Sequence, residues 1–302
     1  MTRFTHIAEV LAPTASTGEL QEWLARRESS VAGLYPECSA ELIWAEPAAQ
    51  ARTSYALVFL HGFSASPGEC GDAPRRIAAA LGCNAYLPRL PGHGVDQDSA
   101  LQGIEACSWL EAAREALTVG RILGDKVILL GSSLGASLSV VLAATHPNAI
   151  AAVVAWSLGA APYNAEQFER VCASHTLVRD ARKRSSEHQR YWASTIHPDG
   201  YRALRDLFST YMTPRFVAGV VCPFFLAYYY RDALVQDKVA SVPAMLRLYQ
   251  ALGTPTSNKE AIAYPDGAHS VGSPWRSGDA DIVLSDTVLF LKRVLGAAQY
   301  HG

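Results

Sequence analysis

Short apolar runs alternate along the chain with longer stretches in which apolar residues recur every three or four positions. The runs predict strands at residues 41–45, 55–60, 84–87, 126–130, 151–156, 224–229 and 260–264. The longer stretches predict helices at residues 17–30, 74–81, 108–123, 133–145, 243–252 and 282–295. Several runs are apolar at nearly every position, as strands covered on both faces must be. The pattern therefore predicts an α/β protein with a mostly parallel sheet flanked by helices.

The alternation is interrupted between residues 161 and 217, where no strand-like run occurs and two or three short polar helices are predicted. Five apolar residues share one helical face there: Tyr201, Leu204, Leu207, Phe208 and Tyr211. We interpret residues 161–217 as a helical cap or lid. The cap is inserted into a single core formed by residues 1–160 and 218–302.

The composition of the 302 residues favours a globular protein, because 49% are hydrophobic and 18% are charged. A formal net charge of −2 provides no general attraction for nucleic acid or for an anionic membrane. No segment approaches the roughly 18 uninterrupted apolar residues of a membrane span. We therefore expect no nucleic acid partner and no membrane span.

The cysteines and the N-terminus indicate where the protein resides and what it binds. The six cysteines are far apart, without a C-x-x-C pair or a histidine at metal-ligand spacing, which predicts reduced thiols and no metal. Glu9 interrupts the apolar stretch near the N-terminus, which lacks the roughly 7–15-residue apolar run of a signal peptide. We therefore expect a cytoplasmic protein. No Walker-type or dinucleotide-binding glycine loop is present, so no cofactor is implied.

The motif with the clearest chemistry is G-x-S-x-G at Gly131, Ser133 and Gly135, which lies between an apolar strand and an apolar helix. A sharp strand-to-helix turn holds such a serine in a strained conformation and exposes its hydroxyl at the carboxyl end of the sheet. Residues larger than glycine at the two flanking positions would collide across the turn. We predict that Ser133 is the nucleophile and that the side chain of Ser132 points away from the site.

A second motif, His61-Gly62-Phe63, follows another apolar strand. Gly62 allows the backbone to turn closely beneath a bound substrate. The N–H groups of Phe63 and Leu134 are the candidate oxyanion donors. We interpret His61 as a residue that holds this loop by hydrogen bonds, in preference to a catalytic base. His93, in the segment PGHG, is likewise interpreted as structural.

These segments together resemble the α/β-hydrolase superfamily, and within it the carboxylesterase and monoacylglycerol-lipase-like branch. The HGF, PGHG and GSSLG segments occur in this order, and the resemblance extends over residues 55–295. It implies an α/β-hydrolase fold in which the catalytic triad follows the chain order serine, acid, histidine.

The resemblance places the acid after the sixth predicted strand, at Asp232. The chain departs from the family pattern there, because Tyr229 replaces the usual glycine and Gln236 replaces the usual proline. Asp237 therefore remains a rival, although the D-x-x-V context favours Asp232. His269 is the only histidine in a loop after both candidates and before the final helix, so it is the predicted base.

We expect a serine hydrolase that cleaves a carboxylic ester through an acyl-enzyme on Ser133. The expected partner is a small-molecule ester with an apolar acyl group, because the HGF-type loop resembles enzymes that take medium or long acyl chains. Serine in place of aspartate argues against dehalogenase and epoxide hydrolase chemistry. A thioesterase, a C–C bond hydrolase, a perhydrolase and a non-catalytic binding protein remain alternatives, and the oligomeric state stays open.

Overall fold

The central sheet is seen in a computed structural model that describes residues 16–180 and 185–299. The N-terminal stretch considered above for a signal peptide lies outside these ranges. The strands within them are β1 (Glu41–Ile43), β2 (Thr53–Leu60), β3 (Asn84–Leu87), β4 (Gly124–Ser132), β5 (Ile150–Trp156), β6 (Val178–Arg179), β7 (Thr195–Ile196), β8 (Phe224–Tyr229) and β9 (Lys259–Tyr264). Seven of these described strands form one sheet in the order β1-β3-β2-β4-β5-β8-β9, in which only β1 runs antiparallel to its neighbour.

Helices connect these strands and cover both faces of the sheet. They are α1 (Thr17–Ser29), α2 (Ala73–Leu81), α3 (Ala106–Leu123), α4 (Leu134–Thr145), α5 (Ala165–Ala173), α6 (Ser186–Tyr191), α7 (Pro198–Tyr211), α8 (Pro214–Val217), α9 (Val242–Ala251) and α10 (Ala280–Gln299). The seven predicted strands and six predicted helices are all confirmed, with ends that differ by a few residues. No helix in the described part of the chain is long and apolar enough to cross a membrane.

The core lies on both sides of the sheet because successive residues of a strand face opposite ways. In β2, Ala56, Val58 and Leu60 pack in one cluster with residues of α3 and α4. Leu57 and Phe59 pack in the other cluster with residues of α2 and α10. All five side chains are fully buried. The run of consecutive apolar residues in β2 therefore reflects burial on two faces, as predicted.

Short polar and glycine signals fix the helix ends. Ser16 caps α1 in a capping box, in which its side chain accepts from the Glu19 N–H and the Glu19 side chain accepts in return. Helix α2 ends at Gly82, which adopts the left-handed conformation that glycine tolerates best. Helix α7 begins with Pro198, whose missing N–H is not needed in the first turn.

Residues 161–217 connect β5 to β8. Their described part contains α5 to α8 and the two-residue strands β6 and β7, which pair antiparallel. Strands this short leave no periodic pattern, so the sequence could not indicate them. Leu204 and Leu207, on the predicted apolar face of α7, are buried. The role of this segment as a cap or lid stays a prediction.

All six cysteines lie in the described ranges as free thiols. Five are buried and Cys107 is exposed. Burial raises the pKa of the thiols of Cys83 and Cys222 to about 12, so both stay protonated and inert at neutral pH. No disulfide joins any two of the six cysteines within the described ranges, and the reduced state of the thiols stays a prediction.

The parallel arrangement gathers four loops at one edge of the sheet. Strands β2, β4, β8 and β9 are parallel to their neighbours, so their carboxyl ends point the same way. The predicted site residues all follow one of these four ends. The topology therefore brings together segments that lie up to about 200 residues apart in the chain.

Candidate active site

Ser133 occupies the turn between β4 and α4 in a strained backbone conformation. Its φ is 50° and its ψ is −108°, values that residues other than glycine seldom adopt. Such a conformation costs about 1–3 kcal/mol and persists only where its surroundings impose it. One constraint is the Ser133 N–H, which donates to the Trp156 carbonyl oxygen at 2.9 Å. The strained turn predicted from G-x-S-x-G is confirmed.

The two glycines of the motif are required by close backbone contacts. A Cβ at Gly135 would lie 1.8 Å from the Leu60 carbonyl oxygen, and a Cβ at Gly131 would lie 2.4 Å from the Ala136 nitrogen. No side chain fits in either place. The contact with Leu60 also shows that the turn packs directly against the end of β2, from which the His61-Gly62-Phe63 loop emerges.

His269 lies in the loop after β9 and forms hydrogen bonds through both ring nitrogens. Its Nε2 is 2.9 Å from Ser133 Oγ, and its Nδ1 is 2.7 Å from Asp237 Oδ2. A carboxylate accepts only, so the proton belongs on Nδ1. Nε2 is then free to accept the proton of the Ser133 hydroxyl, which is the arrangement that a general base requires.

Asp237 is fully buried and holds its charge through specific partners. Burial acts to raise the pKa of this carboxyl, but the charge and hydrogen bond of His269 oppose it. The N–H groups of Val239 and Ala240 also donate to Oδ1, at 2.8 and 3.0 Å. Together these partners outweigh burial and hold the pKa of Asp237 below its ordinary value. The carboxylate is therefore ionised and able to fix the orientation of His269.

Asp232 does not contact His269, so the prediction that it is the acid of this arrangement is wrong. Its exposed side chain accepts from the N–H groups of Leu234 and Val235, both at 2.8 Å. It therefore caps a small turn away from the sheet.

The backbone explains why the later aspartate reaches the site. Arg231 and Asp232 donate their N–H groups to the Val235 carbonyl oxygen, which closes the turn. The chain then returns to the sheet edge, where the Asp237 N–H donates to the Tyr229 carbonyl oxygen at 3.1 Å. The rival named from the sequence is thus the residue that the structure places against His269.

His61 holds the loop after β2, as the sequence predicts. Its Nε2 accepts from the Leu90 N–H at 3.0 Å, so Nδ1 carries the proton and donates to the Gly62 carbonyl oxygen at 2.9 Å. Burial, assisted by the neighbouring His93, holds the pKa of His61 well below its ordinary value. The ring is therefore neutral and structural. Burial likewise lowers the pKa of His93 to about 4.

The two predicted oxyanion donors lie at the same edge of the sheet. Phe63 follows the loop glycine, and Leu134 is the first residue of α4, next to Ser133. The first N–H groups of a helix have no partner within the helix. Among the described residues, neither of these two N–H groups has a hydrogen-bond acceptor. Their assignment as oxyanion donors stays a prediction.

A known protein family matches most of the chain. The sequence profile of the Alpha/beta hydrolase family matches residues 57–288. The chain belongs to this family. The matched range includes Ser133, Asp237 and His269, together with the loop after β2. No curated protein sequence matches the chain at a significant level.

Solved structures of lipases and esterases share the fold. The structure described for LipS and LipT, two lipolytic enzymes from a metagenome, is 16% identical, with 86% of this chain and 99% of that chain covered and a TM-score of 0.69. The monoacylglycerol lipase of Paleococcus ferrophilus is 15% identical, with 84% and 98% covered and a TM-score of 0.65. A soluble variant of the Saccharomyces cerevisiae monoglyceride lipase is 12% identical, with 85% and 91% covered and a TM-score of 0.65. At these identities the similarity shows the fold alone.

Proposed function

We propose that this α/β hydrolase is a serine esterase that cleaves carboxylic esters through an acyl-enzyme on Ser133. The observation that carries the proposal is the continuous hydrogen-bonded chain from Ser133 through His269 to the buried Asp237. A serine hydroxyl is a weak nucleophile until a base takes its proton, and this chain supplies the base and the group that orients it.

In the acylation step, the Ser133 oxygen attacks the ester carbonyl carbon while its proton moves to His269 Nε2. The carbonyl π electrons move onto oxygen, and the N–H groups of Phe63 and Leu134 donate to the resulting oxyanion. Such a donor contributes about 3–4 kcal/mol where its removal has been measured in a serine hydrolase. The C–O bond to the alcohol then breaks, and the proton on Nε2 passes to the departing alcohol oxygen.

In the deacylation step, His269 Nε2 takes a proton from water, and the water oxygen attacks the acyl carbon. The intermediate collapses by breaking the bond to the Ser133 oxygen, which recovers the proton from His269. Asp237 stays ionised throughout and stabilises the imidazolium that forms twice in each cycle. The products are the free acid and the alcohol.

An apolar acyl group fits the aromatic surroundings of the oxyanion loop. The Phe63 ring packs edge to face on Tyr201 of α7 with 5.2 Å between centroids, and Tyr201 contacts Phe168 at 5.9 Å. A Cβ at Gly200 would lie 3.0 Å from the Phe63 ring, so helix α7 rests directly on this loop. We infer that residues 161–217 are the cap over the acyl group. The named lipases with this fold make a monoacylglycerol a reasonable substrate to test.

The proposal is tested by the hydrolysis of p-nitrophenyl esters with two to sixteen acyl carbons, comparing the wild type with Ser133→Ala. We expect turnover by the wild type only, with an optimum above four carbons because the loop is lined by aromatic rings. An optimum at acetate would contradict the apolar acyl group. Absence of turnover on every ester would contradict the esterase and direct the test to thioesters and C–C substrates.

A further inference from the structure

Glu69 is a buried carboxyl group that the reaction above does not use. It lies in the short 3-10 turn of Pro67–Cys70 and is 1% exposed. A buried carboxyl is costly unless it has polar or charged partners. The partners of Glu69 belong to all three segments that carry the proposed chemistry.

The side chain of Glu69 holds the oxyanion loop. The Gly62 N–H donates to Glu69 Oε1 at 2.8 Å, and a Cβ at Gly62 would lie 3.1 Å from Oε2. The Gly62 carbonyl oxygen accepts two hydrogen bonds, one from His61 Nδ1 at 2.9 Å and one from the Ala65 N–H at 3.2 Å. Because the next peptide is planar and trans, a fixed Gly62 carbonyl also fixes the direction of the Phe63 N–H.

Glu69 also connects to the nucleophile turn and to the histidine loop. The Ser132 side chain, at the end of β4, acts to lower the pKa of the Glu69 carboxyl group. The Ser273 hydroxyl donates to the Glu69 carbonyl oxygen at 2.6 Å, only four residues after His269. One residue thus joins the loop after β2, the end of β4 and the loop after β9.

Two side chains of the loop after β9 act on the charge of Glu69. His269 and Arg276 both favour its ionised form, and the buried thiol of Cys70 lies next to it in the chain. Burial is the largest influence and raises the pKa of Glu69 to about 7, although the Gly62 N–H, Ser132, His269 and Arg276 oppose the rise. Glu69 therefore ionises in the pH range in which such an enzyme operates.

We propose that Glu69 is a positioning residue, which anchors the oxyanion loop through Gly62 and supplies a second buried negative charge, beside that of Asp237, for the imidazolium of His269. The inference rests on the proposed function. It adds that two carboxylates act on the histidine, one bonded to Nδ1 and one acting through space from the oxyanion side. Loop position and proton transfer are thereby coupled through one side chain.

The test removes the charge and keeps the shape. Glu69→Gln retains an oxygen that accepts from the Gly62 N–H but carries no charge. Because the pKa of Glu69 is about 7, its charge is present only in the upper part of the kcat/KM profile, where losing that charge disfavours the imidazolium. Well above pH 7, kcat/KM is therefore expected to fall about tenfold with KM little changed, because one unit of pKa corresponds to a tenfold change in an equilibrium constant. Well below pH 7, kcat/KM is expected to stay close to the wild-type value.

Glu115→Gln is the matched control. Glu115 is a carboxylate on α3 that pairs with Arg27 and whose side chain is 10% exposed, so its substitution also removes a largely buried negative charge. Its pH profile is expected to superimpose on that of the wild type. A purely structural role of Glu69 would lower the thermal midpoint and reduce kcat/KM by the same factor at every pH, and that outcome would overturn the proposal.

A second measurement requires neither turnover nor a stable variant. The carboxyl carbon signal of Glu69, followed by NMR in the wild-type protein, is expected to titrate near pH 7. A Glu69 signal that titrates at the ordinary pKa of a glutamate would overturn the proposal. Titration near pH 7 in a protein that hydrolyses no ester would support the buried charge of Glu69 and reject the proposed function, so the two failures are distinguishable.

Discussion

Replacing Ser133 or His269 by alanine is expected to lower kcat on the preferred p-nitrophenyl ester by about 10⁶-fold in each case. The two groups act as one unit, since the hydroxyl attacks only as Nε2 takes its proton across 2.9 Å. The double variant should therefore be little slower than either single variant. Initial rates at saturating substrate, corrected for the uncatalysed reaction, measure the effect.

His146→Ala is the control for loss of a histidine. His146 is exposed at the opposite end of α4 from Ser133, so its replacement by alanine should leave kcat unchanged. If His269→Ala retained more than about a hundredth of the wild-type kcat, another group would be the base. Losses that multiplied in the double variant would show that Ser133 and His269 do not act together.

The second large effect separates the two aspartates. Asp237→Asn is expected to lower kcat by about 10⁴-fold, because an amide can donate to Nδ1 and so stabilise the wrong tautomer of His269. Asp232→Asn should stay within about twofold, because an exposed asparagine can still cap the turn that ends at Val235. The same kcat assay measures both variants.

These two substitutions are matched, since each replaces one carboxylate by an amide within the same loop. Circular dichroism of both variants controls for folding. Equal losses would show that the loop as a whole matters and that neither carboxylate has a specific role. A larger loss in Asp232→Asn would contradict the geometry in which only Asp237 reaches His269.

Hydrophobic periodicity was sufficient to predict the sheet and its flanking helices. Buried parallel strands require continuous apolar runs, and β2 and β4 show them, so their positions are encoded locally. The two-residue strands β6 and β7 could not be predicted, because two residues carry no period. Their pairing depends on how residues 161–217 fold back on themselves.

The site could be predicted only where a local steric rule applies. Ser133 follows from its two glycines, which the close contact with Leu60 requires. The acid could not be chosen in this way, because two aspartates lie five residues apart and a closed turn decides which one returns to the sheet. The replacement of the usual glycine and proline by Tyr229 and Gln236 was the available signal. Glu69 lies in a loop without any pattern, and only its contacts reveal it.

The measurement that tests the central claim most directly is covalent labelling with a fluorophosphonate, located by peptide mass spectrometry. Labelling needs one attack by an activated serine and no knowledge of the substrate. The account predicts one adduct per chain, on Ser133, formed at the wild-type rate in Asp232→Asn and far more slowly in Asp237→Asn and His269→Ala. An unlabelled wild-type protein, or an adduct on Ser132, would contradict the claim that Ser133 is the nucleophile of a working triad.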